Sequence, residues 1–200
     1  MVKIIFENLR ILSLVMFLIH CENQFSQNEL HFPPEKPESF PKLTERNRLL
    51  GELSHERSCY DVLHYLIDID FDIEKKYIKG FVEIRSVAKD DFSILQFDLA
   101  RKMMLNKVEF QDQILKTSRN KDAVFVEFPN IKDGENFTFR IYYEGKPLEA
   151  KNPPWDGGFV WEKDKNGRPF ISVACEGDGA SLWWPLKDHI ADEPDEGATM

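Results

Sequence analysis

The stretch ISVACEGDGASLWWPLKDHIADEPD, residues Ile171–Asp195, contains the residues that best indicate the fold of this chain. Its first residues, Ile171–Cys175, alternate larger apolar side chains with small ones, as in a strand that buries one face. The chain then reaches Gly177 and Gly179, where the backbone can adopt conformations that other residues avoid. Glu176 therefore ends a strand at a glycine-rich turn. A carboxylate there can bind an ammonium group, and a solvated loop beside core tryptophans is the alternative.

A tryptophan pair and an acidic run complete the stretch. Trp183 and Trp184 directly precede Pro185, and acidic residues are frequent from Asp188 to Glu196. We expect the pair to pack in the core, and an exposed platform for sugars is the alternative. The acidic spacing does not match a calcium loop with its central glycine, so the run is interpreted as a solvated turn.

This order of residues resembles the end of the N-terminal β-domain of the M1 family of zinc aminopeptidases, the aminopeptidase N type. That family has a strand ending in Gln-x-Glu or a variant, a loop with Gly or Ala, an aromatic–Pro step, an Asp and an acidic–Pro pair. The matching residues are Ala174-Cys175-Glu176, Gly177–Ser181, Trp184-Pro185, Asp188 and Glu193-Pro194. Ala174 occupies the position of the glutamine. The double tryptophan and the longer spacer are similar to the bacterial branch, and the likeness extends from about Leu49 to Met200.

The resemblance implies an all-β fold, an antiparallel, saddle-like β-sandwich, and a role in removing N-terminal residues from peptides. Glu176 would bind the free α-amine of the peptide substrate. The signature His-Glu-x-x-His is not in the sequence, so zinc and its ligands are expected in a catalytic domain outside these residues. The chain alone is expected to bind no metal and to be catalytically silent, with peptides and its own catalytic domain as partners.

The resemblance also bears on stability. In the family, the β-domain continues past the acidic turn and packs on the catalytic domain. We therefore expect an unpaired sheet edge and an exposed apolar patch near Trp183-Trp184.

Composition narrows the class of protein. The chain has 200 residues, of which 42% are hydrophobic and 30% charged, as in a soluble globular domain. Its formal net charge of -9 argues against a nucleic-acid partner, because binding phosphates needs a basic face.

The N-terminus has the layout of a secretory signal peptide. Within residues 1–20 the apolar run Ile11–Ile19 is too short to span a bilayer. Cys21 follows at the position of a lipoprotein cysteine, so the protein is expected to be exported to the cell envelope or beyond, with a lipid anchor at Cys21 as one option and an uncleaved segment as another. Residues 21–48 form a Pro-rich linker, and residues 49–200 form the β-domain.

Short alternating segments predict the strands of this domain. Strands are expected within residues 67–73, 78–87, 93–99, 107–115, 123–128 and 137–143. A short helix is predicted over residues 44–53. Three aspartates on the polar face of the first strand are expected to be solvated. Many short strands separated by turn signals, without a long helical pattern, favour an antiparallel sandwich.

Asn166-Gly167 predicts a two-residue hairpin that joins residues 160–162 to 170–173. The hairpin brings Glu176 back to residues 153–158, so Trp155 and Ala174 are expected on the rim of the same site. The competing interpretation is a non-catalytic, secreted β-sandwich that binds a peptide or glycan through surface tryptophans such as Trp155.

Two further motifs contain possible metal-binding or disulfide-forming residues. His55–Cys59 differs from the zinc signature by a cysteine in place of the second histidine, but that site requires a helix, and we interpret the segment as a connector before the first strand. Cys59 and Cys175 can pair, although buried free thiols are expected for both.

Overall fold

A computed structural model describes residues Lys42–Met200. The predicted signal peptide, Cys21 and most of the predicted linker lie outside the described residues. Among the described helices, none has both the length and the hydropathy that a membrane span requires.

Residues 42–200 form ten strands, two short α-helices and one 3-10 helix. The helices are α1 (Glu45–Gly51), α2 (His55–Ser58) and the 3-10 helix Ala180–Leu182. The strands are β1 (Tyr60–Asp72), β2 (Tyr77–Ala88), β3 (Phe92–Asp98), β4 (Met104–Phe110), β5 (Gln113–Asn120), β6 (Ala123–Ile131), β7 (Asn136–Gly145), β8 (Gly158–Lys163), β9 (Pro169–Ala174) and β10 (Ala198–Thr199).

Eight strands form one curled sheet in the order β10-β1-β2-β7-β4-β5-β6-β3, and β8 and β9 form a separate hairpin. The curl occurs in β5, whose first half pairs with β4 up to Leu115 and whose second half pairs with β6 from Lys116 onward. The prediction of an all-β, sandwich-like domain is confirmed.

The core lies between the two halves of the curled sheet. In β7 the predicted face of Phe137, Phe139, Ile141 and Tyr143 is buried throughout, with at most 4% of each residue exposed. Phe128 of β6 contacts the rings of Phe137 and Phe139 at centroid distances of 5.8 and 5.3 Å, although β6 and β7 are not hydrogen-bonded neighbours. The alternating residues of facing strands therefore form one apolar layer.

The predicted strand 107–115 is wrong, because the chain turns at Gln111 and Asp112. Both residues have left-handed backbones, with φ of 49° and 61°, as a tight hairpin turn requires. Because no glycine marks this turn, the pattern of apolar residues predicted one continuous strand. The hairpin at Gly167 exists, but its loop is longer than two residues: β8 ends at Lys163, β9 begins at Pro169, and Gly167 donates to Asp164 O at 2.9 Å.

Two local predictions are confirmed. Of the three aspartates on the polar face of β1, Asp68 and Asp70 are exposed, as expected for a solvated face, while Asp72 is half-buried and pairs with Lys75 at 2.7 Å. The predicted short helix is α1, which Thr44 caps by accepting a hydrogen bond from Asn47 N. This helix extends across the predicted boundary between linker and β-domain.

The prediction of an exposed apolar patch at the tryptophan pair is wrong. Trp184 is only 8% exposed and meets the Tyr65 ring edge-to-face at 5.0 Å. Trp183 packs on Phe159 of the hairpin at 5.5 Å. The pair therefore packs on the core, as the sequence predicts, with Trp184 buried and Trp183 half-buried, because β1 and the hairpin cover it. At the sheet edge, β3 is bridged on its outer side by Leu186 opposite Asp98.

Candidate functional site

The hairpin of β8 and β9 brings two loops to one end. Gly158, the first residue of β8, pairs with Ala174, the last residue of β9. The loop before Gly158 contains Trp155, and the loop after Ala174 contains Glu176. The register therefore places both loops at the same end of the hairpin, as the connectivity predicted.

Glu176 lies in a tight turn on the surface. Gly179 N donates to Cys175 O at 2.9 Å, which closes the turn around Glu176. Gly177 and Gly179 have φ of 78° and 82°, a left-handed conformation that is costly for residues with a Cβ. Glu176 is exposed, and within residues 42–200 its carboxylate makes no hydrogen bond or ion pair. It is thus free to bind a ligand from solvent.

Asp188 supports one side of this turn. Its Oδ2 accepts a hydrogen bond from Ser181 N at 2.9 Å, at the start of the 3-10 helix. The carboxylate also lies directly against the Cα of Gly179, where a methyl group would overlap it. Glycine is therefore required at 179 both by backbone conformation and by the closeness of Asp188.

Asp178 supports the other side. Its Oδ2 accepts a hydrogen bond from Gly157 N at 3.2 Å, which ties the turn to the loop that contains Trp155. Trp155 itself is 86% exposed, whereas Ala174 is half-buried. The two predicted rim residues thus differ, and the exposed indole is the one available for contact.

Beneath the turn lies a buried ion pair that the sequence did not reveal. Arg57 of α2 binds Asp98 of β3 through two nitrogens, each 2.8 Å from a carboxylate oxygen, and both side chains are fully buried. Arg57 also donates to Leu49 O of α1 at 2.8 Å and to Asp188 O at 3.1 Å. Burial raises the pKa of Asp98 to about 6, and the Arg57 guanidinium opposes that rise.

The prediction that the acidic run is a solvated turn is wrong at Asp192. The Asp192 carboxylate is 5% exposed and pairs with Lys187 at 2.8 Å, and Lys187 is itself 6% exposed. Lys187 Nζ also donates to Tyr60 O at 2.5 Å. Burial raises the pKa of Asp192, an effect that Lys187 opposes and the neighbouring Asp61 reinforces. Asp192 therefore has a structural role, because its pairing with Lys187 anchors the acidic run to β1.

A cleft of about 630 Å³ opens beside the Glu176 turn. It lies between α1, the Glu176 turn and the acidic run. The Cys175 thiol lines this cleft and therefore does not pack in the core. The lining residues are Arg46, Asn47, Leu50, Gly51, Cys175, Gly177, Asp178, Gly179, Ser181, Asp188, His189, Ile190, Asp192 and Glu193.

The zinc-like segment His55–Cys59 contains a helical turn, contrary to the expectation of a simple connector. The buried residue of the helix is Arg57, however, while His55 lies 3.4 Å from Asp90 on the surface. Burial raises the pKa of the Cys59 thiol to about 12, so it is protonated at neutral pH and a poor metal ligand. Within residues 42–200, His, Cys, Asp and Glu form no cluster of three or more that fits a metal ion. Cys59 and Cys175 are both free thiols, but only Cys59 is buried, so the expectation of a buried thiol is wrong for Cys175.

No protein-family model matches the chain. No curated protein matches it either.

Solved structures do resemble it. An M1 zinc metallopeptidase from Deinococcus radiodurans, bound to a Tyr-Ser-Ala substrate, is 22% identical with a TM-score of 0.53, and the match covers 66% of this chain and 30% of that one. A two-domain M1 zinc metallopeptidase bound to L-arginine is 21% identical with a TM-score of 0.53, over the same shares of the two chains. The leukotriene A4 hydrolase of Saccharomyces cerevisiae is 18% identical with a TM-score of 0.55, over 80% of this chain and 25% of that one.

These likenesses bear on the fold. The match spans less than a third of each solved chain. The described residues therefore have the fold of the N-terminal domain of M1 zinc metallopeptidases, as the residues of the Glu176 stretch predicted.

Proposed function

We propose that this chain is the domain of a zinc aminopeptidase that recognises the free N-terminus of a peptide, and that Glu176 binds the α-ammonium group. The observation on which the proposal depends is the free Glu176 carboxylate at the end of β9. It is exposed, while the turn that holds it is anchored on both sides by Asp178 and Asp188.

The chemistry requires such a carboxylate. An ammonium group forms charge-assisted hydrogen bonds with a carboxylate, and these are about twice as strong as neutral ones. Holding the N-terminus at one point places only the first peptide bond near the reacting group. The ligands of the solved relatives, L-arginine and Tyr-Ser-Ala, both have a free α-amine.

Zinc would belong to another domain. A zinc ion activates a water molecule for attack on the peptide carbonyl, and this chain would contribute only binding of the amine. We expect the purified chain to contain no stoichiometric zinc and to leave aminoacyl reporter substrates intact. One tightly held zinc per chain, lost in His55→Ala or Cys59→Ala, would contradict this division of roles.

The decisive test is Glu176→Gln in a polypeptide that contains both this chain and the zinc domain. A hydrogen bond to a charged group contributes about 1.5–3 kcal/mol, so kcat/KM should fall by about tenfold to a few hundredfold. Zinc content should not change. Glu176→Asp should also lose activity, because a shorter side chain displaces the bound amine.

Two controls keep this test specific. Glu162→Gln, an exposed carboxylate at the far end of the same hairpin, should leave activity unchanged. Peptides with an acetylated N-terminus should be poor substrates for the wild type and insensitive to Glu176→Gln. Full activity of Glu176→Gln on free peptides would refute the assignment.

A second candidate function is favoured by Trp155. An indole that is 86% exposed on a loop can stack on a sugar or on a peptide side chain, as in a non-catalytic secreted binding module. In that case Trp155→Ala would abolish binding of the peptide or glycan, whereas Glu176→Gln would leave it intact.

A further inference from the structure

We infer that Asp188 is a positioning residue for Glu176, and that the buried pair of Arg57 and Asp98 holds Asp188 in place. The inference rests on the proposed function, since it concerns the residue that would bind the amine. It assigns roles to residues far apart in the sequence that meet beneath one turn.

Buried residues in the body of the domain bind the main chain of Asp188. Its N–H donates to Asp98 Oδ2 at 3.3 Å, and its carbonyl accepts from Arg57 Nη1 at 3.1 Å. Because Arg57 and Asp98 are fully buried and bound to each other, neither can move without breaking the pair. Two residues earlier, Leu186 forms an antiparallel bridge with Asp98, which fixes the approach of this segment.

From that fixed main chain, the Asp188 side chain reaches the glycine turn. It accepts the Ser181 N–H at 2.9 Å and lies against Gly179. Ser181 is held by a second hydrogen bond, because Ala100 N donates to Ser181 O at 2.7 Å. Asp98 at the end of β3 thus supports the 3-10 helix through Asp188, and Ala100, just after β3, supports it directly.

The turn transmits this position to Glu176 over a short path. Gly179 N is bonded to Cys175 O, so the two residues that flank the turn are joined, and Glu176 directly follows Cys175. A displacement of Gly179 must therefore move Glu176. Asp178 and Asp188 each accept a backbone N–H, which leaves Glu176 as the carboxylate of this turn that is free to bind an amine.

The test is a double-mutant cycle in a polypeptide that contains this chain and the zinc domain. Asp188→Ala should lower kcat/KM for a free tripeptide such as Tyr-Ser-Ala by about tenfold and leave the slow cleavage of its N-acetyl form unchanged. Asp188→Asn, which keeps the shape and one oxygen acceptor, should lose less. If Asp188 acts through Glu176, the double variant with Glu176→Gln should lose no more than Glu176→Gln alone.

An independent readout uses this chain without peptide. Amide hydrogen exchange at Gly179 and Ser181 should accelerate at least tenfold in Asp188→Ala, because the acceptor of the Ser181 N–H is gone. Glu162→Gln serves as the control and should exchange like the wild type. The melting temperature of each variant identifies any global unfolding, and Asp188→Asn provides the folded alternative if Asp188→Ala melts early.

The outcomes are distinguishable. Additive losses in the cycle, an equal loss on acetylated peptides, or unchanged exchange at Gly179 and Ser181 would each overturn the positioning role. A Glu176→Gln variant with full activity, together with accelerated exchange in Asp188→Ala, would show instead that the proposed function has failed while the contact is real.

Discussion

The body of the domain and the end of its hairpin are held by different forces. In β7, alternate residues from Phe137 to Tyr143 are buried, whereas β9 has no fully buried residue. Around Glu176 the chain is held instead by two carboxylates that accept backbone N–H groups and by glycines that fit against them. The body is thus stabilised by apolar burial, and the candidate site by directional polar contacts.

This difference has consequences for mutation. Apolar burial is not directional, and its free energy scales with the area removed from water. Polar contacts depend on the exact donor and acceptor, so a small change at the site should alter geometry more than stability. Substitutions in the body and at the site should reveal that contrast.

The largest effect is expected in the body. Phe139→Ala should lower the free energy of unfolding by about 3–5 kcal/mol, because it leaves a cavity beside Phe128 in the core. Thr138→Ala, at the neighbouring exposed position, should change it by less than about 0.5 kcal/mol. Urea unfolding measures both. Equal effects would show that β7 does not alternate between core and solvent.

The buried pair beneath the site should make stability depend on pH. The pKa of Asp98 is raised from 3.8 to about 6 in the folded domain, so the folded state binds the Asp98 proton more tightly than the unfolded chain does. This stabilisation of the fold is fully present below about pH 4 and is lost as the pH rises through 6. The loss amounts to at most about 3 kcal/mol. Unfolding free energies from pH 4 to 7 should therefore fall more steeply for the wild type than for Asp98→Asn. Parallel curves would contradict the raised pKa.

The smallest effects are expected at the two glycines of the turn. Gly177→Ala should cost about 1 kcal/mol, because a left-handed backbone is strained for alanine. Gly179→Ala has the same strain and also pushes its methyl group into the Asp188 carboxylate, so it should cost about 2 kcal/mol. Thermal unfolding of the two variants compares them. Identical costs would mean that Asp188 does not lie against Gly179.

Much of the fold could be predicted from local patterns. Alternation placed most of the strands, including the buried face of β7, because residues two apart share one side of a strand. The glycines and the hairpin signal located Glu176 and Trp155 at one end of the hairpin. The turn at Gln111 and Asp112 was not predicted, since Gln111 is not a typical turn residue and no glycine follows Asp112.

The sequence by itself determined the alternating strands, the glycine turn and the carboxylate within it, since each depends on residues that are close along the chain. Only the tertiary structure decided that Trp184 is covered, that Asp192 is buried with Lys187, and that Arg57 binds Asp98. Arg57 and Asp188 meet across 131 positions of sequence. A charged residue in a short helix has the same local pattern whether it faces water or a buried carboxylate, and only the packing of distant strands distinguishes the two.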